Sequence, residues 1–246
     1  MMKRLPLALV LILVCAQARS QEEKPRNIPA FDLKRLHFGF TVGINTMDLA
    51  IRRDYNAEDF IYADVSRVLP GFQVSIVSDL RINKNWNLRF LPGISFGSRE
   101  VNFYEYDSNG LGEMVEIDNP PADNPVPLGP SFLDFPLHLK YRSDRLNNHR
   151  PYLVGGLNFR YDMSAKKKYD SDSNEYLKFK PADLYVEFGF GVDNYLKYFK
   201  FAPEIKLAIG LFNILDPRDV REPHAQFVES IERATSYIVM LNFHFE

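Results

Sequence analysis

An alternation of apolar and polar side chains runs through residues 37–46, His-Phe-Gly-Phe-Thr-Val-Gly-Ile-Asn-Thr. In an extended strand, the two phenylalanines, the valine and the isoleucine share one face, and the small and polar residues share the other. A period of two residues with one apolar and one polar face is typical of a half-buried β-strand. At least seven further segments repeat this pattern, which predicts an all-β protein.

We predict eight strands, at 37–46, 70–82, 86–99, 132–143, 151–163, 184–194, 199–211 and 236–246. The connections alternate in length, with the long ones at 47–69, 100–131, 164–183 and 212–235. Outer-membrane barrels have even strand numbers, long extracellular loops and short periplasmic turns. The alternation therefore predicts an eight-stranded antiparallel transmembrane β-barrel in the outer membrane, with both termini in the periplasm.

The first twenty residues are typical of a secretory signal peptide. Lys3 and Arg4 precede an apolar run at residues 5–14, which is too short to span a bilayer. Small residues at positions 18 and 20 favour cleavage after position 20. We therefore predict a signal peptide at 1–20 and an outer-membrane barrel domain at 21–246.

Composition narrows the range of functions. The formal net charge of −2 favours neither nucleic acid nor a polybasic membrane patch. The single cysteine, Cys15, lies in the apolar run of the signal peptide, and lipidation there is an alternative that the bulky Val14 disfavours. The five histidines show no metal-ligand spacing, so we predict no metal site and no cofactor.

Charged residues of both signs occupy the second face of the predicted strands. Eight strands enclose a lumen that side chains can just fill, and charges at mid-membrane depth are costly unless they point inward and pair. We predict a lumen filled by ion pairs; a proton or ion path is the alternative. The predicted members are Asp79, Arg81, Arg89, Asp134, His138, Lys140, Arg160, Asp162, Glu187, Asp193, Glu204, Lys206 and His244.

The first face of the strands is apolar and predicted to contact lipid, as on the last strand at Val239, Leu241 and Phe243. Aromatic rings favour the boundary between hydrocarbon and water, where the ring is buried and the polar tip is hydrated. We predict a periplasmic girdle at the short-turn end, formed by Trp86, Tyr141, Tyr152, Tyr195 and Tyr198.

Several prolines fit this ladder badly, because proline has no backbone N–H to donate. They are Pro70, Pro92, Pro136, Pro151 and Pro203. We expect bulges or strand ends at these positions, with the greatest disturbance around Pro92–Gly93 and Pro136.

The last long connection contains the best candidates for catalysis. His224 could act with Asp216, Asp219 or Ser230, although a nucleophile also needs a base within hydrogen-bond reach. Residues 223–234 show a helical period with one apolar side, which predicts a short amphipathic helix packed on its own loops or docked on a partner.

Three stretches of the chain resemble a known family. They are Leu69-Pro70-Gly71-Phe72-Gln73-Val74 with Leu91-Pro92-Gly93, Arg145-Leu146-Asn147-Asn148-His149-Arg150-Pro151-Tyr152-Leu153, and Phe201-Ala202-Pro203-Glu204-Ile205-Lys206. They resemble the PorT family of Bacteroidota outer-membrane barrels, and the Arg-Leu-Asn-Asn turn is the most specific part. The resemblance implies a component of the type IX secretion system, tied to gliding motility in some relatives, and no catalytic residues.

The sequence therefore predicts a non-enzymatic outer-membrane barrel that contacts lipid and other type IX secretion components, and no nucleic acid. Two alternatives remain. One is a general outer-membrane barrel with a role in adhesion or envelope stability. The other is an outer-membrane hydrolase or acyltransferase that uses residues of the external loops.

Overall fold

A computed structural model describes residues 26–53, 61–106, 114–116, 126–165, 177–216 and 231–246. The predicted signal peptide, Cys15 and three of the catalytic candidates (His224, Asp219 and Ser230) lie outside these ranges. No helix within them is long and apolar enough to cross a membrane.

Strands dominate the described residues. A 3₁₀ turn at Phe31–Leu33 precedes β1 Leu36–Arg53, β2 Ile61–Arg81, β3 Trp86–Phe90, β4 Gly93–Tyr106, β5 Met114–Glu116, β6 Val126–Leu128, β7 Ser131–Arg142, β8 His149–Asp162, β9 Ala182–Tyr195, β10 Lys200–Gly210 and β11 Ile231–Phe245.

The strands close into a ring. Strand β1 pairs with β2 on one side and with β11 on the other, and every pairing is antiparallel. Strands β3 and β4 both lie between β2 and β7, so together they form one interrupted strand of the ring. The short strands β5 and β6 pair only with β4 within the described residues. The eight-stranded antiparallel barrel is thus confirmed.

The ring extends further on its loop side than the sequence predicted. Strand β1 continues to Arg53, β2 begins at Ile61 and β11 begins at Ile231. The predicted helix at 223–234 is therefore wrong for its last four residues, which are strand. The cause is that β1 stays paired with β11 beyond the lipid-facing segment. There the outward residues of β1 are mostly polar, as at Thr46, Asp48 and Arg52, and the apolar alternation ends.

The interruption at Leu91–Pro92 lies directly opposite Pro136. The Leu91 N–H donates to the carbonyl of Pro136 at 3.3 Å, and the Ile76 N–H donates to the carbonyl of Pro92 at 2.9 Å. Neither proline can return a hydrogen bond. The pairing register of β3 and β4 with β7 is the same on both sides of the gap. The expected disturbance is therefore a loss of hydrogen bonds rather than a bulge.

A register shift does occur near Pro70, between Leu69 and Phe72 in the pairing of β2 with β4. There a bulge accommodates the proline, as expected.

Candidate functional site: the barrel interior

The outward face of the ring carries an apolar belt. On β1 it runs from Leu36 to Ile44, and the next outward residues are Thr46 and Asp48. Eight residues of a strand tilted by about 40° rise roughly 20 Å, which is close to the height of the apolar band of outer-membrane barrels. The belt therefore matches a bilayer, and the charged residues lie behind it.

The ion-pair network centres on Arg89, which is fully buried. Its guanidinium lies 3.3 Å from Asp79, 3.2 Å from Glu204 and 3.5 Å from Glu246. Glu204 also lies 3.2 Å from Nε2 of His244. These side chains come from β2, β3, β10 and the end of β11, so the contacts cross the lumen.

Two buried lysines extend this network. Lys140 Nζ lies 2.8 Å from Asp193, and Lys200 Nζ lies 2.7 Å from Glu246 and 3.7 Å from Asp193. Lys140 also lies over the ring of Tyr152, 3.6 Å from its centre. Each of these cations has a carboxylate close by, which limits the cost of burying charge.

A second group of ion pairs surrounds Glu187, nearer the loop side. The Glu187 carboxylate lies 2.6 Å from Lys206 Nζ, 2.8 Å from His138 Nε2 and 3.4 Å from the Arg160 guanidinium. Nε of Arg160 lies 2.8 Å from Asp134. Glu187 thus joins one cation from each of β8 and β10 with a histidine from β7.

The structure places most of the predicted lumen residues inside the barrel, but two differ. Arg81 is half-buried at the turn end, where its guanidinium binds the backbone carbonyl of Asp32 instead of a lumen carboxylate. Asp162 accepts hydrogen bonds from the backbone of Ser131 and Ser164 at the far end of β8. Each residue therefore fixes local structure at one end of the barrel.

Two members of the predicted girdle are wrong. Tyr152 is 2% exposed and Tyr195 is 1% exposed, and both point inward. They donate hydrogen bonds to Glu204 and to Asp32, each at 3.0 Å. The alternation of strand faces indicates the inward position of Tyr195, because this residue lies two positions after the inward Asp193. Outward-pointing rings remain at Trp86, Tyr141 and Tyr198.

Two members of the network, Lys200 and Glu246, are absent from the predicted set. Both lie on the same strand face as predicted members, because Lys200 lies four residues before Glu204 and Glu246 lies two residues after His244. The strand pattern extended to the strand ends therefore contained them.

The turn end of the barrel is covered by residues 26–35, which we call the N-terminal strap. The Asp32 carboxylate lies 3.1 Å from Arg145, 3.3 Å from Arg150 and 3.0 Å from the Tyr195 hydroxyl. The Phe31 ring stacks on His37, with the ring centres 4.0 Å apart. These contacts fix the strap across the lumen.

Two short turns are joined beside the strap. Lys84 Nζ lies 2.7 Å from Asp144, and this hydrogen bond lowers the pKa of the exposed Asp144 carboxyl. The Arg150 guanidinium donates to the Lys84 carbonyl at 2.8 Å, and the Asn85 side chain donates to the Arg142 carbonyl at 2.8 Å. The turns at 83–85 and 143–148 thus form one unit with the strap.

The loop end is closed by apolar packing. Phe179 and Leu215 pair across the mouth, and the Lys180 N–H donates to the Ile214 carbonyl at 2.7 Å. The buried cluster beneath them consists of Leu49, Ala63, Val101, Phe103, Ile214, Leu215, Ile231 and Ala234. Between the two ends we find a cavity of about 20 Å³, enough for a single water molecule. The ion-pair groups and this apolar cluster therefore occupy the described interior at successive levels.

The described residues include one of the predicted catalytic candidates. Among the described residues, no group of three or more His, Cys, Asp and Glu side chains could hold a metal ion. Asp216 is the described member of the catalytic candidates, and it lies 3.7 Å from Lys178 as an ordinary ion pair.

A protein-family model matches most of the chain and agrees with the fold. The family described as outer membrane protein beta-barrel domain matches residues 16–216. Neisserial surface protein A is similar at 11% identity, over 86% of this chain and 98% of that one, with a TM-score of 0.44. OprG of Pseudomonas aeruginosa is similar at 12% identity, over 85% and 94%, with a TM-score of 0.46. No curated protein matches the chain.

Proposed function

The chain belongs to the outer membrane protein beta-barrel domain family, and from that premise we propose that it is a non-enzymatic accessory component of type IX protein secretion. It acts through the surfaces at its two ends and does not itself conduct cargo. Its strap and short turns face the periplasm, and its loops face the outside of the cell.

The filled interior carries this proposal. Arg89 reaches the Glu204 carboxylate on the opposite side of the ring, Glu187 contacts three partners, and Phe179 packs against the apolar cluster at the loop end. An eight-stranded barrel with such a lumen has no room for a polypeptide. The export path must belong to another protein, and this barrel supports it through contact.

Sequence resemblance supports the choice of export system. The most specific segment, from Arg145 to Leu153, supplies two arginines to Asp32 and a tyrosine to the lumen network. The turn therefore builds the covered end of the barrel. If the family shares this segment, its members also share the surface that the segment forms at the covered end of the barrel.

The proposal is tested by deleting the gene and following proteins that carry a type IX export signal. We expect these proteins to disappear from the medium and to accumulate in the periplasm, and a plasmid copy to restore their release. The control is a protein exported by a different system, whose release stays unchanged. Normal release of type IX cargo by the deletion strain would contradict the proposal.

A second candidate is a purely structural role in the envelope. The cross-lumen ion pairs favour it, because they stiffen the barrel without serving any transport. Here the deletion strain would export normally but become sensitive to detergent and to bile salts. Measuring both export and detergent sensitivity in one strain separates the two functions.

A further inference from the structure

The turn end of the barrel is strongly basic at its surface. Among the described residues at this end, five cations are exposed and the exposed acid is Asp144. That acid is already bound to Lys84. The exposed cations are Arg26, Lys34, Arg35, Lys84 and Lys197.

Positive charge is also in excess just below this surface. Arg145 and Arg150 share the single carboxylate of Asp32, and Arg81 donates to the backbone carbonyl of that residue. Charges of one sign gathered at a low-dielectric surface produce a potential that attracts anions. By contrast, the exposed charges described at the loop end are of both signs, as in the pair of Arg52 with Glu232.

The strap runs from the lumen to the first strand. Asp32 is held by inward-pointing Arg150 and Tyr195, so this part of the strap lies over the lumen. Lys34 and Arg35 follow it and are exposed just before Leu36, where the apolar belt of β1 begins. A protein approaching from the aqueous compartment can reach both side chains.

Apolar side chains stand among these cations. Leu33 on the strap is 77% exposed, and Leu146 on the neighbouring turn is 68% exposed. Both belong to segments fixed by hydrogen bonds, since Arg145 binds Asp32 as well as the carbonyls of Asn27 and Asn147. A rigid surface loses little conformational entropy on binding.

We propose that the strap and the turn at 143–150 form a docking surface for an acidic segment of another protein, whose apolar side chains contact Leu33 and Leu146. The complementary charges steer the partner to the surface, and the leucines hold it there. The location of this partner in the periplasm rests on the orientation given under the proposed function.

The test uses the purified barrel in nanodiscs of zwitterionic phosphatidylcholine. The probe is a fluorescent synthetic peptide rich in Glu with a few Leu, and its binding is followed by anisotropy. We expect binding that weakens with salt, and an affinity about tenfold lower for the double variant Lys34→Glu and Arg35→Glu. Leu33→Ser should weaken binding to a smaller extent.

Arg52→Glu is the matched control, because it reverses an exposed cation at the loop end and should leave binding unchanged. A peptide with Lys in place of Glu should not bind. Gel mobility before and after heating verifies that each variant is folded.

Unchanged binding by the folded double variant would overturn the proposal. So would a barrel that recruits phosphatidylglycerol vesicles through Lys34 and Arg35 but ignores the acidic peptide, since the surface would then serve lipid headgroups. The assay needs no secreting cell. A negative result here would thus leave the deletion phenotype standing, and the reverse also holds.

Discussion

The ammonium group of Lys140 lies 3.6 Å from the centre of the Tyr152 ring, in the middle of the charged part of the lumen. The Tyr152 hydroxyl donates to Glu204 at 3.0 Å. Tyr152 therefore binds a cation on the face of its ring and donates a hydrogen bond to a carboxylate from its hydroxyl group. It fills space that shorter side chains would leave empty.

The space for Tyr152 depends on Gly191, the residue paired with it on the neighbouring strand β9. A Cβ atom added to Gly191 would lie 2.4 Å from the Tyr152 hydroxyl oxygen. We expect Gly191→Ala to destabilise the barrel by about 1–3 kcal/mol through overpacking. Urea unfolding in lipid vesicles, followed by Trp86 fluorescence, measures this.

Gly155→Ala is the control for that change. Its added Cβ has no neighbour closer than 3.8 Å, so we expect little effect on the free energy of unfolding. Equal losses for the two variants would show that Tyr152 does not need the space beside Gly191.

Removal of the central cation should be costly. Arg89→Leu leaves Asp79, Glu204 and Glu246 short of a partner at a buried site. We expect a loss of about 3–5 kcal/mol in unfolding free energy. In comparison, Arg52→Leu removes an exposed ion pair and should cost at most about 1 kcal/mol. A similar small cost for both would refute the role of Arg89 in the lumen.

Charge on the lipid face should be penalised according to depth. Phe90 points outward within the belt, and Phe90→Arg should cost about 2–4 kcal/mol. Tyr141 lies near the end of its strand, and Tyr141→Arg should cost only about 0–1 kcal/mol. Unfolding in vesicles compares the two, and the opposite order would place the bilayer elsewhere on the barrel.

The orientation can be measured on whole cells with an impermeant thiol reagent. We expect Asp64→Cys, on an exposed position toward the loop end of β2, to be labelled. Lys84→Cys, in a short turn, should be labelled only after the outer membrane is opened. Immediate labelling at position 84 and not at position 64 would invert the barrel.

The filled lumen should also be visible in electrical recordings. Purified protein in planar bilayers should give no currents of the size expected for a polypeptide channel, because Arg89, Lys140 and Tyr152 occupy the path. Large, stable conductance steps would contradict both the closed interior and the proposed accessory role.

The sequence pattern predicted the fold because lipid and lumen impose opposite preferences on alternate residues. Phe72 and Ile205 point outward and Glu204 points inward, as expected. The prediction for Tyr152 is wrong because it follows from the position of Tyr152 near a strand end, whereas the alternation of strand faces points this side chain inward. Asp32 gave no local signal, since its partners Arg145 and Tyr195 lie more than a hundred residues away.

The contact between Arg89 and Glu204 has a consequence for assembly. Strand β3 and strand β10 lie on opposite sides of the ring, separated by three strands in either direction. A flat or half-curled sheet holds these two charges too far apart to meet, so the ion pair forms only when the sheet rolls up and β11 meets β1. Before closure Arg89 has Asp79 on the neighbouring strand β2 but lacks Glu204, so a partly inserted sheet carries incompletely paired charges that oppose its entry into hydrocarbon. Insertion and closure are therefore expected to occur as one cooperative event.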